Sequence, residues 1–302
     1  LIALDDTLAD VSWIERISLF RWALSAALIA GIVCPIAGVF LLVRRTSFQG
    51  IALPQFATAG VVFGFAILPW WIEHIGLGDL TAESALSDTH AAMNYHFAWA
   101  AVFTFVGLAA LVWTGRRNLG SEIGRTAAAF AIANAATYLF GRLSPIGKGH
   151  ADQLLTGEVL GVGLHEFETL AVVLGLSLLI FVWFQRDLLL VSFDRETARV
   201  LGKHVTAFEG LLNVVVGLTV SVGTMTLGPT MLFGLLVLPP LAARRFASSM
   251  TNFFLLSSGI GVLAVVLGVV ISFELDFPLG PSIVAAAALA LLPGAFPVRR
   301  ST

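Results

Sequence analysis

Apolar runs of membrane-spanning length dominate this chain, and short polar stretches interrupt them. The runs lie at about 17–43, 51–72, 97–114, 124–140, 167–184, 209–227, 228–241, 253–273 and 281–297. A helix crosses the hydrocarbon layer in roughly 20 apolar residues. Backbone groups in lipid must be paired within the segment, so runs of this length predict helices. The pattern predicts an all-α polytopic transmembrane bundle of eight or nine spans, forming one domain over residues 1–302.

Two places depart from simple spans. The stretch 209–241 has to leave one side of the membrane and return within about 33 residues, too few for two full crossings and a loop. The break falls at Gly228-Pro229, where Pro removes a helix donor and Gly loosens the backbone. A full helix followed by a short buried half-helix is expected, with Pro239 inside the second piece. Broken helices at membrane depth often mark a transport path; a tight helical hairpin is the plain alternative. The second place is the compact charged segment Phe193-Asp194-Arg195-Glu196-Thr197-Ala198-Arg199-Val200-Leu201-Gly202. Asp194 suits a helix start and Gly202 its end. Phe193, Ala198 and Leu201 are expected to form one small apolar face.

Charge placement predicts orientation. Arg44/Arg45, Arg116/Arg117/Arg125, Arg186 to Lys203, Arg244/Arg245 and Arg299/Arg300 flank spans, while no Lys or Arg lies between Glu73 and Gly115. Basic loops stay cytoplasmic, which puts the N-terminus outside and the C-terminus in the cytoplasm. Arg142 and Lys148, in a predicted outer loop, run against that pattern. The region of about 73–96 reads as an outer acidic loop. Five of six histidines (His74, His90, His96, His150 and His165) also fall on that side. They would draw cations, although a solvated face obeying charge asymmetry is the plainer explanation.

Composition agrees with a lipid-solvated protein. Of 302 residues, 58% are hydrophobic and 12% charged, with a mean hydropathy of +0.92; soluble domains carry about 25% charged residues. The net charge of -2 and the lack of a long basic run exclude nucleic acid as a partner. The lone Cys34 reads as a small core residue. The chain opens on Leu1 without a removable signal peptide, so an upstream start is expected. Gly60-x-x-x-Gly64 and Gly157-x-x-x-Gly161 predict close helix contacts.

The run Phe193-Asp194-x-Glu196-x-Ala198-x-x-x-Gly202 resembles the coupling loop of ABC-3 permeases, importers of zinc, manganese and related divalent metals. Four further runs resemble that family in order and spacing. They are Gly38-Val-Phe-Leu-Leu-Val-Arg44-Arg45 with Ser47-Phe-Gln-Gly50, Leu154-Leu-Thr-Gly157-Glu158-Val-Leu-Gly161-Val, Gly228-Pro229 through Pro239-Pro240 to Arg244, and Asp276-Phe-Pro278-Leu-Gly280-Pro281. The resemblance implies a type II ABC importer permease in a bacterial-type inner membrane, pairing with a second copy or a paralogue. Two cytoplasmic ATPase subunits would use the ATP, and an extracytoplasmic metal-binding protein would deliver divalent metal. The permease itself would bind no cofactor and perform no bond chemistry. In keeping with a motor elsewhere, Gly141-Arg-Leu-Ser-Pro-Ile-Gly147-Lys148-Gly149 is not a phosphate loop, because its spacing is one residue too long and Gly149 stands in place of Ser/Thr.

One departure bears on cargo. The family reads Gly-Asp-Ala-Leu-Ser-His at the start of its second helix, whereas this chain reads Gly50-Ile51-Ala52-Leu53-Pro54-Gln55. Ile51 offers no metal ligand and Gln55 only a neutral carbonyl oxygen. Gln55, Thr58, Asn134 and Asn213 are the candidate path residues, with Thr137, Ser221, Thr224 and Thr226 as further polar groups. A metal chelate or another small solute is the alternative cargo. An intramembrane enzyme would need paired catalytic groups at depth, and the sequence places none there. A membrane scaffold that moves no cargo is the remaining alternative.

Overall fold

A computed structural model describes residues 13–74, 90–117, 120–143 and 162–292. These form twelve helices and no strand among the described residues. In chain order they are α1 (Trp13–Leu19), α2 (Arg21–Val43), α3 (Gln49–His74), α4 (His90–Arg116), α5 (Glu122–Leu143) and α6 (Leu164–Trp183). There follow α7 (Gln185–Phe193), α8 (Arg195–Val200), α9 (Val205–Leu227), α10 (Pro229–Ala243), α11 (Met250–Leu275) and α12 (Leu279–Leu289).

The all-α bundle is as expected, but eight or nine full crossings are not. Among the described residues six helices are long and apolar enough to span: α2, α3, α4, α6, α9 and α11. The physical reason is length and charge. At about 1.5 Å per residue, α10 rises about 22 Å and α12 about 16 Å, both short of the roughly 30 Å hydrocarbon layer. Helix α5 has 22 residues but carries Glu122, Arg125 and Arg142 near its ends. The expected 281–297 segment is helical over Leu279–Leu289; residues from 293 onward lie outside the described residues, as do Gly157 and Gly161. Within the expected outer loop of 73–96, α3 continues to His74 and α4 begins at His90, and residues 75–89 are outside the description.

Helix α2 is central and packs on α6, α10 and α11. Its close approaches are made by glycine. Gly31 meets Gly261 of α11, where a Cβ on Gly261 would lie 2.2 Å from the Gly31 carbonyl oxygen. Gly38 sits against α10, and a Cβ there would fall 1.8 Å from the Leu236 oxygen. Phe40, fully buried, stacks on Phe181 of α6 at 5.2 Å and lies 5.2 Å from Phe254 of α11. Cys34 is buried in this core, as its sequence context implied. A second layer joins α3 with α4 and α5. There Gly60 and Gly64 face Trp99, which confirms the close packing expected from their spacing. Tyr95 of α4 donates to the Gly64 carbonyl at 2.8 Å. Lipid tails are as apolar as the side chains, so close packing rather than hydrophobic transfer holds such helices together.

Backbone contact at Gly38 leaves no room for relaxation. Gly38→Val is expected to cost about 3 kcal/mol or more, whereas Gly175→Ala, where nothing lies within 4 Å of a Cβ, should be neutral or slightly stabilising. Thermal unfolding in detergent checks this; equal midpoints for the two variants would contradict the packing described.

Candidate coupling elbow and membrane path

The segment between α7 and α9 is held by local chemistry that its sequence dictates. Asp194 takes an extended backbone (φ -147°) and caps α8. Its Oδ1 accepts from the Glu196 and Thr197 amides at 3.0 and 3.1 Å, and Thr197 Oγ1 donates to Oδ2 at 2.5 Å. Gly202 ends the helix with φ +72°. The Lys203 amide donates to the Ala198 carbonyl and the Gly202 amide to the Arg199 carbonyl, a Schellman closure. Six residues are too few for a stable helix alone, so these caps define it. Two further contacts bind it to the bundle. Ala198, fully buried, packs with Val191 of α7 and Val205 of α9. Lys203 Nζ lies 2.7 Å from Asp187 of α7.

The expected single apolar face is corrected. Ala198 points into the protein, whereas Phe193 and Leu201 point out, 63% and 62% exposed, and Val200 is 87% exposed. Ala198 falls on the inner side because the turn after α7 seats it against Val191 and Val205. The outward patch is therefore Phe193, Val200 and Leu201, flanked by the Glu196–Arg199 ion pair at 2.7 Å.

Deeper on this side is an electrostatic cluster that the sequence did not announce. Arg195 at the start of α8 pairs with Glu209 of α9 at 2.6 Å. One turn further along α9, Asn213 Oδ1 accepts from Arg44 Nη1 at 3.0 Å, just past the end of α2. Burial pulls the Arg44 guanidinium below its ordinary range; Glu209 opposes that shift, Arg195 adds to it and Glu122 opposes it. The signals available beforehand were the four-residue spacing of Glu209 and Asn213 and the arginine after α2, which had been read for topology and as part of a family-like run.

The broken helix is as expected. Gly228 has φ 79° and ψ 158°, a conformation essentially reserved for glycine. Pro229 then starts α10 at a position where its missing N–H costs nothing. Gly228, Pro229 and Pro239 are all buried, so the interrupted backbone is covered by protein.

The four path candidates are not joined to one another by any hydrogen bond among the described residues. Gln55 is half-buried on α3, and its Oε1 is a buried oxygen without a hydrogen-bond partner. Thr58, fully buried one turn on, donates its hydroxyl to the Pro54 carbonyl of its own helix. Asn134 is half-buried on α5. Asn213 holds Arg44, as described above. Thr224, near the break, also has a buried oxygen without a hydrogen bond. Among the described residues no group of three or more His, Cys, Asp or Glu side chains is placed to hold a metal. His96 is not in a loop: it is buried on α4 with its ring 4.3 Å from Phe65. His74 stacks on Trp70 at the end of α3. His150, Asp152 and Glu158 lie outside the described residues.

A glycine-packed helical bundle with a buried broken helix and a capped polar helix presented outside it is the architecture of a membrane permease. The model of the ABC 3 transport family matches residues 16–297, and this chain belongs to that family. It is 25% identical over 268 residues to the chelated iron transport system membrane protein YfeD of Yersinia pestis, covering 88% of this chain and 81% of that protein. It is 26% identical over 293 residues to the manganese import system permease protein ScaB of Streptococcus pneumoniae, covering 93% and 91%. Among solved structures, PsaBC from Streptococcus pneumoniae in complex with Fab matches with a TM-score of 0.72 at 24% identity, covering 99% of this chain and 97% of that one. A putative metal-chelate type ABC transporter in an inward-facing conformation matches with a TM-score of 0.61 at 17% identity, covering 92% and 82%. At these identities the two structural matches speak for the fold alone.

The Thr197 hydroxyl, then the Thr197 and Glu196 amides, hold the Asp194 carboxyl below its usual range. A depressed folded value means the cap contributes fully above the ordinary aspartate pKa of about 3.9 and is lost as pH falls through the lower folded value. Hydrogen exchange at the Glu196 and Thr197 amides, compared between native protein and Asp194→Asn, should diverge above that range and converge in acid. A constant difference at every pH would contradict the cap's titration.

Proposed function

We propose that this chain is the membrane-spanning subunit of an ATP-driven importer of divalent metal, manganese or iron foremost, in a bacterial-type inner membrane. The observation that carries the reading is the α8 elbow: a six-residue helix capped at both ends, fixed to the bundle on one side and bearing an apolar patch on the other. The names of the relatives in Yersinia pestis and Streptococcus pneumoniae support the cargo class. The C-terminus and the elbow face the cytoplasm and the N-terminus faces outside, following the arginine distribution.

In this reading a pair of ATPase subunits receives Phe193, Val200 and Leu201 in a groove and hydrolyses the ATP. Their closure pushes α8, and the Val191–Ala198–Val205 contact passes the movement into α7 and α9. Helix α9 leads to Gly228, the one non-helical residue between α9 and α10, where the path bends. A second permease copy or a paralogue packs on α5. That helix leaves Ala127, Ala128, Ala131, Ala135 and Tyr138 exposed, and it is not among the six helices apolar enough to span in lipid. An extracytoplasmic binding protein delivers the metal.

Gln55 favours a second reading within the same class, a metal chelate or other small solute as cargo. A neutral amide four residues after Ile51 is a weak ligand for a bare divalent ion. Uptake in proteoliposomes with the ATPase and binding protein, offered manganese, iron and zinc separately, decides. Movement of one bare metal supports the first reading, and ATP turnover stimulated by the binding protein with no metal moved supports the second. Loss of both would remove the importer assignment.

Gly202 tests the elbow directly. A Cβ there meets nothing within 4 Å, but φ +72° strains any side chain, by roughly 1–3 kcal/mol. Gly202→Val is expected to leave the bundle folded while transport per ATP hydrolysed falls severalfold. A native ratio would remove α8 from the coupling path.

A further inference from the structure

Two cations from different elements dock one turn apart on α9. Arg195, from α8, is paired with Glu209 at 2.6 Å. Arg44, just past the end of α2, is held one turn away on Asn213 at 3.0 Å. The charge of Glu209 supports the Arg44 cation, and Arg195 opposes it. Arg44 also feels Glu122 at the start of α5, whose Oε1 is a buried oxygen without a hydrogen-bond partner. Arg44 is therefore held one turn from a second acceptor on α9, and Arg195 determines how much of Glu209 remains for it.

We infer that Glu209 is a shared carboxylate: when α8 carries Arg195 away from it, Arg44 moves from Asn213 onto Glu209. This inference rests on the reading of α8 as the element the ATPases move. Electrostatics gives the direction. An isolated carboxylate at a partly buried site has to be neutralised, and Arg44, at the end of the central helix, is held one turn away on Asn213. Because α2 packs on α6, α10 and α11, a shift of Arg44 is felt on both sides of the broken helix. Glu209 is thus a positioning residue acting through two arginines, and it needs no contact with cargo.

The test has two readouts. In the purified chain, thermal unfolding is measured for Arg44→Gln alone, in an Arg195→Gln background and in an Arg195→Gln/Glu209→Gln background. The Tm loss from Arg44→Gln should be about twice as large once Arg195 is gone, because Arg44 then carries the pairing with Glu209, and it should return to the native loss when Glu209 is also removed. An equal loss in all three backgrounds overturns the sharing. This arm needs no ATPase or cargo, so it stands apart from any failure of the importer reading. The second readout is the charge exchange Arg195→Glu/Glu209→Arg in proteoliposomes containing the ATPase. It rebuilds the direct ion pair but sets an arginine beside Arg44. Cargo moved per ATP should stay severalfold below native; full recovery of the native ratio would show that the pair is a simple staple and overturn the inference.

Discussion

Backbone that leaves the helical conformation inside a lipid layer has to be covered by protein, since no water is available to its polar groups. Gly228 is where this chain meets that requirement. Its φ and ψ are open only to glycine, Pro229 needs no N–H partner, and both are buried. The half-helix that follows the break is itself closely packed, with α2 presenting Gly38 to Leu236. α11 in turn meets α2 at Gly31 and Gly261. The core of the bundle is thus arranged around an interrupted helix that would be costly anywhere else.

The break and the elbow lie at the two ends of α9. At one end the helix is tied to α8 by hydrophobic packing at Ala198 and by the Arg195–Glu209 pair. At the other it passes through Gly228 into α10. A rigid helix of 23 residues can carry a displacement of its lower end to the break without needing a wire of specific side chains, because the helix is itself the connecting element. Of the polar side chains along these helices, Thr58 and Thr226 bond to their own helix backbone, and Thr224 keeps a buried oxygen without a hydrogen bond.

Much of this was legible in the sequence. Six long spans followed from apolar run length, although the expected count of eight or nine was too high; the break followed from Gly228-Pro229 and the limits of α8 from Asp194 and Gly202, since there local chemistry decides. What could not be read was decided by tertiary placement. The direction of Ala198 depends on Val191 and Val205 meeting across a turn, so the apolar face had been assembled from the wrong residues. His96 had been assigned to an outer mouth because nothing local says that α4 starts at His90. The meeting of Arg44 with Asn213 spans 169 residues of sequence and has no local signature. Of the path residues, Gln55 was singled out by its departure from the family pattern, but its buried, unbonded oxygen is visible only in three dimensions.

The central claim is that α8 is the surface on which the ATPases act. The most direct measurement uses the buried Cys34 as the position to silence: in a Cys34→Ala chain, a photoactivatable crosslinker is placed on Val200→Cys and, separately, on Leu139→Cys of α5. Both native side chains are exposed, so labelling should be equal in the chain alone. The account predicts that Val200 crosslinks to the ATPase in the assembled complex and that Leu139 does not. An ATPase that crosslinks from neither position, or from Leu139 alone, would contradict it.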